Sequence, residues 1–420
     1  MKPEDSLEDW LAYISAVHPA TIEMGLDRVH AVYERMKLPP PPVTLTVGGT
    51  NGKGSTCAML ERILIEAGYR VGGYSSPHLI RYNERVKVDG EEADDKTLAA
   101  SFARVEAARG DTPLTYFEFG TLSALAVFHD AGIDAAVLEV GLGGRLDAVN
   151  VLDADCAIVA SIGIDHVAYL GDTREKIGFE KAGIFRSGRP AICGDPDPPK
   201  TLVDHANAIG AELQVLGREF RFENHGGQWD FIGKRGARRA LPMPALRGGW
   251  QLRNASSALA ALDEVADRLP VSMGEVKRGL TLVTLPGRLQ VLPGKPEIVL
   301  DVAHNPQAAA MLADGLGNMR FCENTFAVFA ILGDKDADGV IDAIKARIDR
   351  WFVATPPSER AKPAAEVAAL LEERGLSKVT RTFANVESAL ATARREAGPN
   401  DRIVVFGSFY TVAEALRFAR

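Results

Sequence analysis

The chain has 420 residues, 46% of them hydrophobic and 25% charged, with a formal net charge of −8. That length predicts two domains, because single cores stop growing at about 250–300 residues. The acidic balance argues against a broad nucleic-acid surface but allows a local basic pocket for a small anion, and no apolar run is long enough to span a bilayer.

Met1-Lys2-Pro3-Glu4-Asp5 is acidic and lacks the apolar core of a secretory leader. Residues 6–37 have helical spacing, with Leu7, Trp10, Leu11 and Ile14 on one side and a second helical piece from Met24. Pro39 to Pro42 end it. Thr44-Leu45-Thr46-Val47 then reads as a strand running into Gly48-Gly49-Thr50-Asn51-Gly52-Lys53-Gly54-Ser55-Thr56, and Ala58, Met59, Leu60, Ile63, Leu64 and Ala67 mark a following helix. Strand, glycine turn and helix are the context of a phosphate loop. Glycines let the backbone approach an anion, and helix-start N–H groups point at it. Lys53 supplies a point charge, and a hydroxyl after it can hold Mg²⁺. The spacing departs from the strict Walker pattern: Val47 stands where the first glycine belongs, and Gly54 displaces the hydroxyl to Ser55.

Arg70 to Tyr74 reads as a strand, followed by Ser75-Ser76-Pro77-His78-Leu79, either metal or substrate contacts or a plain Ser-Pro turn. Helices are predicted over 94–110 and 117–131. The aromatics of Tyr116-Phe117-Glu118-Phe119 between them suit a core or a flat wall for a ring system. Two apolar strands then deliver polar residues at their C-terminal ends, where open α/β sheets bind ligands. The first, 135–140, delivers Glu139, a metal carboxylate or an exposed strand-end charge, before the glycine turn up to Asp147. The second, 156–160, delivers Ser161, Asp165 and His166. Residues 174–184 read as a helix on which Glu180 and Lys181 are solvated charges. A strand follows at 191–193, and 211–247 reads as a small antiparallel patch.

A helix opens at Trp250-Gln251 and runs to about Leu269. Leu285-Pro286-Gly287-Arg288 breaks the pattern as a hinge. Beyond it, strands at 297–302, 325–331, 350–353 and 402–406 alternate with helices at 306–317, 337–348, 363–374, 386–397 and 411–419. That alternation predicts a mostly parallel sheet, with Asp301, His304, Asn305, Gly333-Asp334-Lys335-Asp336 and Gly407-Ser408 just beyond its strands. Cys57, Cys156, Cys193 and Cys322 are scattered without a CxxC pair and read as buried thiols in a reducing cytoplasm.

Taken in order, Gly49–Ser55, Ser75–Leu79, Glu139–Asp147, Ser161–His166, Glu180–Ile184, Pro286–Arg288 and Asp301–Pro306 resemble the folylpolyglutamate synthase/dihydrofolate synthase family of the Mur ligase superfamily. Seven motifs in register over nearly the whole chain are far more specific than any one of them. The resemblance implies an α/β protein: a P-loop, Mur-ligase-like ATPase domain over 1–286 and a smaller Rossmann-like glutamate ligase domain over 287–420. It implies a cytoplasmic, monomeric, ATP-dependent amide ligase. A carboxylate becomes an acyl phosphate, and the amine of L-glutamate displaces phosphate.

Carried over by motif, Gly49, Thr50, Asn51, Gly52, Lys53, Gly54, Ser55 and Thr56 hold the phosphates, and Asn254, Arg288 and Asp301 contact the nucleotide. Two Mg²⁺ sites are implied, Ser55 near the first and Ser76, Glu139 and His166 at the second. Lys181 is the lysine expected to be carbamylated. Asp301, His304 and Ser408 are implied in the chemistry, the last two touching glutamate or acyl phosphate. Phe117 and Asp147 are implied in the pocket for dihydropteroate or folate. One departure is Val149-Asn150, where the family often has Thr-Asn. A Mur peptidoglycan ligase would need a nucleotide-sugar domain before the loop, and Gly48 comes too early for one. A non-ligase nucleotide switch has no use for the Asp301/His304/Asn305 edge.

Overall fold

Apolar residues gather into separate cores in two units of a computed structural model. It describes Lys2, residues 4–20 and residues 22–418. The first unit comprises the chain up to Gly163, then Ala168–Ala245 and Leu252–Val283; the second comprises Ile164–Val167, Leu246–Gln251 and the chain from Thr284.

In chain order the first unit opens with α1 (Leu7–Ala16), α2 (Asp27–Met36), β1 (Val43–Gly48), α3 (Lys53–Glu66), β2 (Val71–Tyr74), β3 (Val86–Val88), β4 (Glu91–Glu92), α4 (Asp95–Arg109), α5 (Tyr116–Ala131) and β5 (Ala135–Glu139). It continues with β6 (Cys156–Val159), α6 (Val167–Leu170), α7 (Arg174–Ala182), β7 (Pro190–Cys193), α8 (Lys200–Ile209) and β8 (Glu212–Val215), then the antiparallel β9 (Arg221–Asn224), β10 (Gln228–Gly233) and β11 (Gly236–Pro242), and closes with α9 (Gln251–Val265) and α10 (Met273–Leu282). The main sheet runs β4-β3-β2-β5-β1-β6-β7-β8, parallel from β2 to β8. β1 therefore lies between β5 and β6, where the strand order reverses. Such a switch point is where open α/β sheets leave a crevice at the strand C-termini.

Every residue of β1 is buried, the threonines Thr44 and Thr46 included. The alternating polarity of Thr44 to Val47 suggests a half-exposed strand. A central parallel strand has both faces covered, and β-branched threonine fits that surface despite its hydroxyl. Residues 212–215 are likewise not part of the antiparallel patch; they form the parallel edge strand β8.

Helix ends follow local chemistry. The Thr115 hydroxyl accepts from Glu118 N–H while the Glu118 carboxylate accepts from Thr115 N–H, starting α5, and Gly132 ends it in the left-handed region. Thr173 caps α7.

The second unit contains β12 (Gln290–Leu292), β13 (Glu297–Leu300), α11 (Pro306–Gly317), β14 (Thr325–Phe329), α12 (Ala337–Ile344), β15 (Arg350–Ala354), α13 (Ala364–Glu373), β16 (Thr380–Phe383), α14 (Val386–Glu396), β17 (Arg402–Phe406) and α15 (Phe409–Phe418). Its sheet runs β12-β13-β17-β14-β15-β16, with only β12 antiparallel. β12 and β16 have no counterpart among the predicted strands: β12 is three residues long, and β16 is an edge strand without a buried residue. The C-terminal ends of β13, β17 and β14 adjoin, which brings the segments after Leu300, Phe406 and Phe329 together.

Candidate active site

In the first unit, the turn after β1 is fixed from beneath by the segment after β6. Thr50 N–H donates to Ser161 O (2.8 Å), and Asn51 N–H donates to the Ser161 hydroxyl (3.0 Å), which donates back to Asn51 O (2.9 Å). Thr50 Oγ1 donates to Gly163 O and accepts from Gly163 N–H, each at 3.0 Å. Gly49 (φ +145°) and Gly52 (φ +86°) hold backbone conformations that other residues rarely adopt. A β-carbon on Gly52 would stand 2.5 Å from Asn254 Oδ1. Asn254, on α9, is buried. Lys53 folds back over the loop it closes, its Nζ donating to Gly49 O (3.1 Å) and Thr50 O (3.4 Å). Ser55 is buried at the start of α3, and the Thr56 hydroxyl donates to Gly52 O (3.0 Å) within the helix.

Next to this loop, β5 ends in Glu139, which is buried, and one carboxylate oxygen accepts from Ser76 N–H (3.3 Å). Ser55, Ser76 and Glu139 offer hard oxygen donors, which suit magnesium. Glu61 on α3 is half-buried, and its partial desolvation pushes the carboxyl up to about 7 against the pull of Lys87.

Two further sequence-predicted residues, Phe117 of α5 and Asp147, stand at the turn after Glu139. The outer edge of the Phe117 ring packs against Gly141, so close that a β-carbon there would be 2.6 Å from the ring; the Tyr74 and Phe117 ring centres are 5.8 Å apart. Asp147 accepts from Leu142 N–H (2.8 Å) and Val149 N–H (3.1 Å). Its burial pushes the carboxyl up to about 7 in spite of those hydrogen bonds. Asn150 donates to Arg145 O (3.0 Å) and Gly183 O (3.1 Å), tying this turn to the end of α7. Lys181 lies on that helix and is 3% exposed. It is not the solvated charge its sequence neighbours suggest, because Gly144 and Gly183 bring the turn hard against the helix end.

In the second unit, Asp301 is buried and pins the 287–289 turn. It accepts from Leu289 N–H and Ala303 N–H, each at 2.8 Å, and burial raises its carboxyl above the usual range. Arg288, on the same turn, lies over the Phe409 ring (5.2 Å). The Ser408 hydroxyl accepts from Thr411 N–H (3.0 Å), starting α15. His304 places Nδ1 2.8 Å from Val302 O.

The sequence reading left two members of this unit without a role. Asp165, on the Ile164–Val167 segment, accepts from Lys335 Nζ (2.6 Å) and Asn305 Nδ2 (3.1 Å), and His304 Nε2 lies 3.4 Å from it. Burial opposes its charge, but His304 and Lys335 hold the carboxyl far below the usual range. His166 is in this unit too, its Nε2 3.4 Å from Lys335 Nζ. Polar residues after β6 and β14 were the available signal; nothing local pairs positions 170 residues apart.

Thus the structure gathers Gly49–Thr56, Ser76, Phe117, Glu139, Asp147, Lys181 and Asn254 in one unit, and His166, Arg288, Asp301, His304 and Ser408 in the other. Elsewhere, among the described residues, Glu223, His225 and Asp230 bring donor atoms within 4.8 Å of one another. Arg221 and Arg239 already face those carboxylates. Cys57, Cys156 and Cys193 are buried as expected; Cys322 is only half-buried.

Residues 47–261 match the Mur ligase middle domain and residues 287–409 the Mur ligase glutamate ligase domain. The dihydrofolate synthase/folylpolyglutamate synthase of Escherichia coli (strain K12) is 45% identical over 411 residues, 98% of this chain and 94% of that protein. This chain belongs to the dihydrofolate synthase/folylpolyglutamate synthase family. The family member of the same name from Haemophilus influenzae is 40% identical, covering 99% and 98%. The fold agrees. E. coli FolC in complex with DHPP and ADP matches with a TM-score of 0.95 at 44% identity, covering 100% of this chain and 99% of that one. A bifunctional folylpolyglutamate synthase/dihydrofolate synthase with Mn, AMPPNP and L-glutamate bound matches with 0.92 at 43%, covering 99% and 98%. As a dihydrofolate synthase/folylpolyglutamate synthase, the chain is an ATP-dependent glutamate ligase.

Proposed function

We propose that this ATP-dependent glutamate ligase carries out both additions named for its family, joining L-glutamate first to dihydropteroate and then to the γ-carboxylate of folates. The observation that carries the reading is the turn between Glu139 and Asp147. An aromatic ring, Phe117 of α5, packs on it, and a buried acceptor, Asp147, closes it after the strand-end carboxylate Glu139. A flat heterocycle with N–H donors suits the first two.

A carboxylate is a poor electrophile because its leaving group would be oxide. In our reading its oxygen attacks the γ-phosphorus of ATP and ADP departs. The glutamate amine then attacks the acyl carbon, loses a proton and expels phosphate. Lys53 leaves its loop carbonyls to neutralise the transferring phosphoryl group, and the N–H groups of Gly49–Thr56 cradle the remaining charge. Asn254, Arg288 and Asp301 hold the nucleotide; His304 and Ser408 receive glutamate. Ser55, Ser76, Glu139 and His166 would hold magnesium at two sites. When bound it neutralises phosphoryl oxygens as a Lewis acid. Lys181 becomes a carbamate, an anion able to support that metal. Its burial at the end of α7, where that helix meets the turn after Glu139, supports this.

We further place the enzyme in the cytoplasm as a monomer acting on small molecules, without nucleic acid or membrane partners. No helix among the described residues is long and apolar enough to cross a membrane. The test is turnover with ATP, Mg²⁺ and L-glutamate against dihydropteroate and tetrahydrofolate separately, in bicarbonate buffer, with products identified by mass. Glutamylation of both supports the bifunctional reading; turnover of tetrahydrofolate without dihydropteroate refutes it.

A further inference from the structure

We propose that Asp165 is a positioning residue of the amino-acid site, fixing the His304 ring and holding Lys335 as a donor for a carboxylate of the incoming glutamate. This rests on the ligase reading above.

The arrangement is built around one carboxylate. Oδ1 takes Lys335 Nζ at 2.6 Å and the His166 N–H at 2.8 Å; Oδ2 takes Asn305 Nδ2 at 3.1 Å and faces His304 Nε2 at 3.4 Å. An ionised carboxylate has about four acceptor positions. Three donors and the edge of the His304 ring already crowd Asp165, which leaves it little capacity for a substrate N–H. Holding its neighbours is the role that remains.

Those neighbours are placed tightly. The side chains of Asp165 and Lys335 are 9% and 6% exposed. His304 is fixed on both edges, with Nδ1 2.8 Å from Val302 O and Nε2 facing Asp165. A carbonyl oxygen only accepts, so Nδ1 carries the hydrogen. Lys335 has three N–H bonds. Asp165 takes one and His166 Nε2 lies 3.4 Å away, which leaves an N–H for an anion. His304 and Lys335 follow β13 and β14, the two strands flanking β17, and β17 leads into Ser408, given to glutamate above, so that anion is assigned as the amino acid's carboxylate.

The test is steady-state kinetics of the full chain with ATP, Mg²⁺ and a pteroate acceptor. Asp165→Asn should raise KM for L-glutamate by about tenfold or more, the effect of losing a hydrogen bond to a charged group. KM for ATP and for the acceptor should stay within about twofold, since only one substrate's binding is altered. Asp165→Glu should recover part of the loss. Lys335→Gln should reproduce the selective rise, and the double variant should be no worse than the poorer single one. An unchanged glutamate KM in either single variant, or an equal rise in all three KM values, overturns the proposal. If Asp165→Asn does not fold, Lys335→Gln decides alone. Failure of the ligase reading is distinguishable, since the unaltered chain would then release no ADP in response to glutamate.

Discussion

Gly52 and Asn254 meet so closely that a β-carbon on the glycine would stand 2.5 Å from the asparagine amide oxygen. The contact joins the glycine turn before α3 to α9, and Gly52 satisfies it with φ at +86°. Gly52→Ala therefore meets a clash and an unfavourable backbone conformation together. The conformation alone costs about 1–2 kcal/mol. Urea denaturation should show a loss of at least that size, and KM for ATP should rise more than KM for glutamate.

Lys53 presents the opposite case. Among the described residues its ammonium bonds to carbonyls of its own turn, so the fold depends on it little. Lys53→Met should leave the urea midpoint nearly unchanged while kcat falls by about 10²–10³-fold, the usual cost of removing one transition-state donor. A fold loss matching the activity loss would contradict the assignment.

The carboxyl of Asp147 is pushed up to about 7 by burial. In the proposed role it accepts N–H groups of the heterocycle as a carboxylate. Acceptor binding should therefore strengthen as pH rises through about 7, and KM for dihydropteroate should be higher at pH 6 than at pH 8. A raised acid makes the folded chain hold a proton that the unfolded chain has released. Its contribution to stability therefore falls between the ordinary carboxylate range and about 7. Asp147→Asn should flatten the KM profile; a profile unchanged by the substitution would remove Asp147 from the pocket.

Glu118 is buried near the start of α5, and Arg28 of α2 reaches it at 3.0 Å. Removing the arginine strands a buried carboxylate. Arg28→Ala should cost about 3 kcal/mol, as when one partner of a buried pair is lost. Measured by urea denaturation, Arg28→Ala/Glu118→Gln should be less destabilised than Arg28→Ala alone.

What could be read in the residues was whatever is local. The glycine turn at Lys53, the strand-end positions of Glu139 and Asp301, and the alternation of strands and helices all follow from short spacings. Lys181 shows the limit: a lysine beside a glutamate on a short helix has the pattern of a solvent-facing charge. Only the packing of Gly144 and Gly183 against that helix end buries it. Asp165 and Lys335 were visible as polar residues after two strands of different sheets. Their 2.6 Å pairing depends on the Ile164–Val167 segment packing with the second unit. β16 carries no buried residue to mark it.

The most direct test of the ligase mechanism follows one oxygen atom. Dihydropteroate labelled with ¹⁸O in its carboxylate is incubated with the protein, ATP, Mg²⁺ and L-glutamate, and both products are weighed by mass spectrometry. Activation through an acyl phosphate predicts one ¹⁸O in the released phosphate for each glutamate joined. Glutamylated product with unlabelled phosphate, or ATP hydrolysis without glutamylation, would contradict the account.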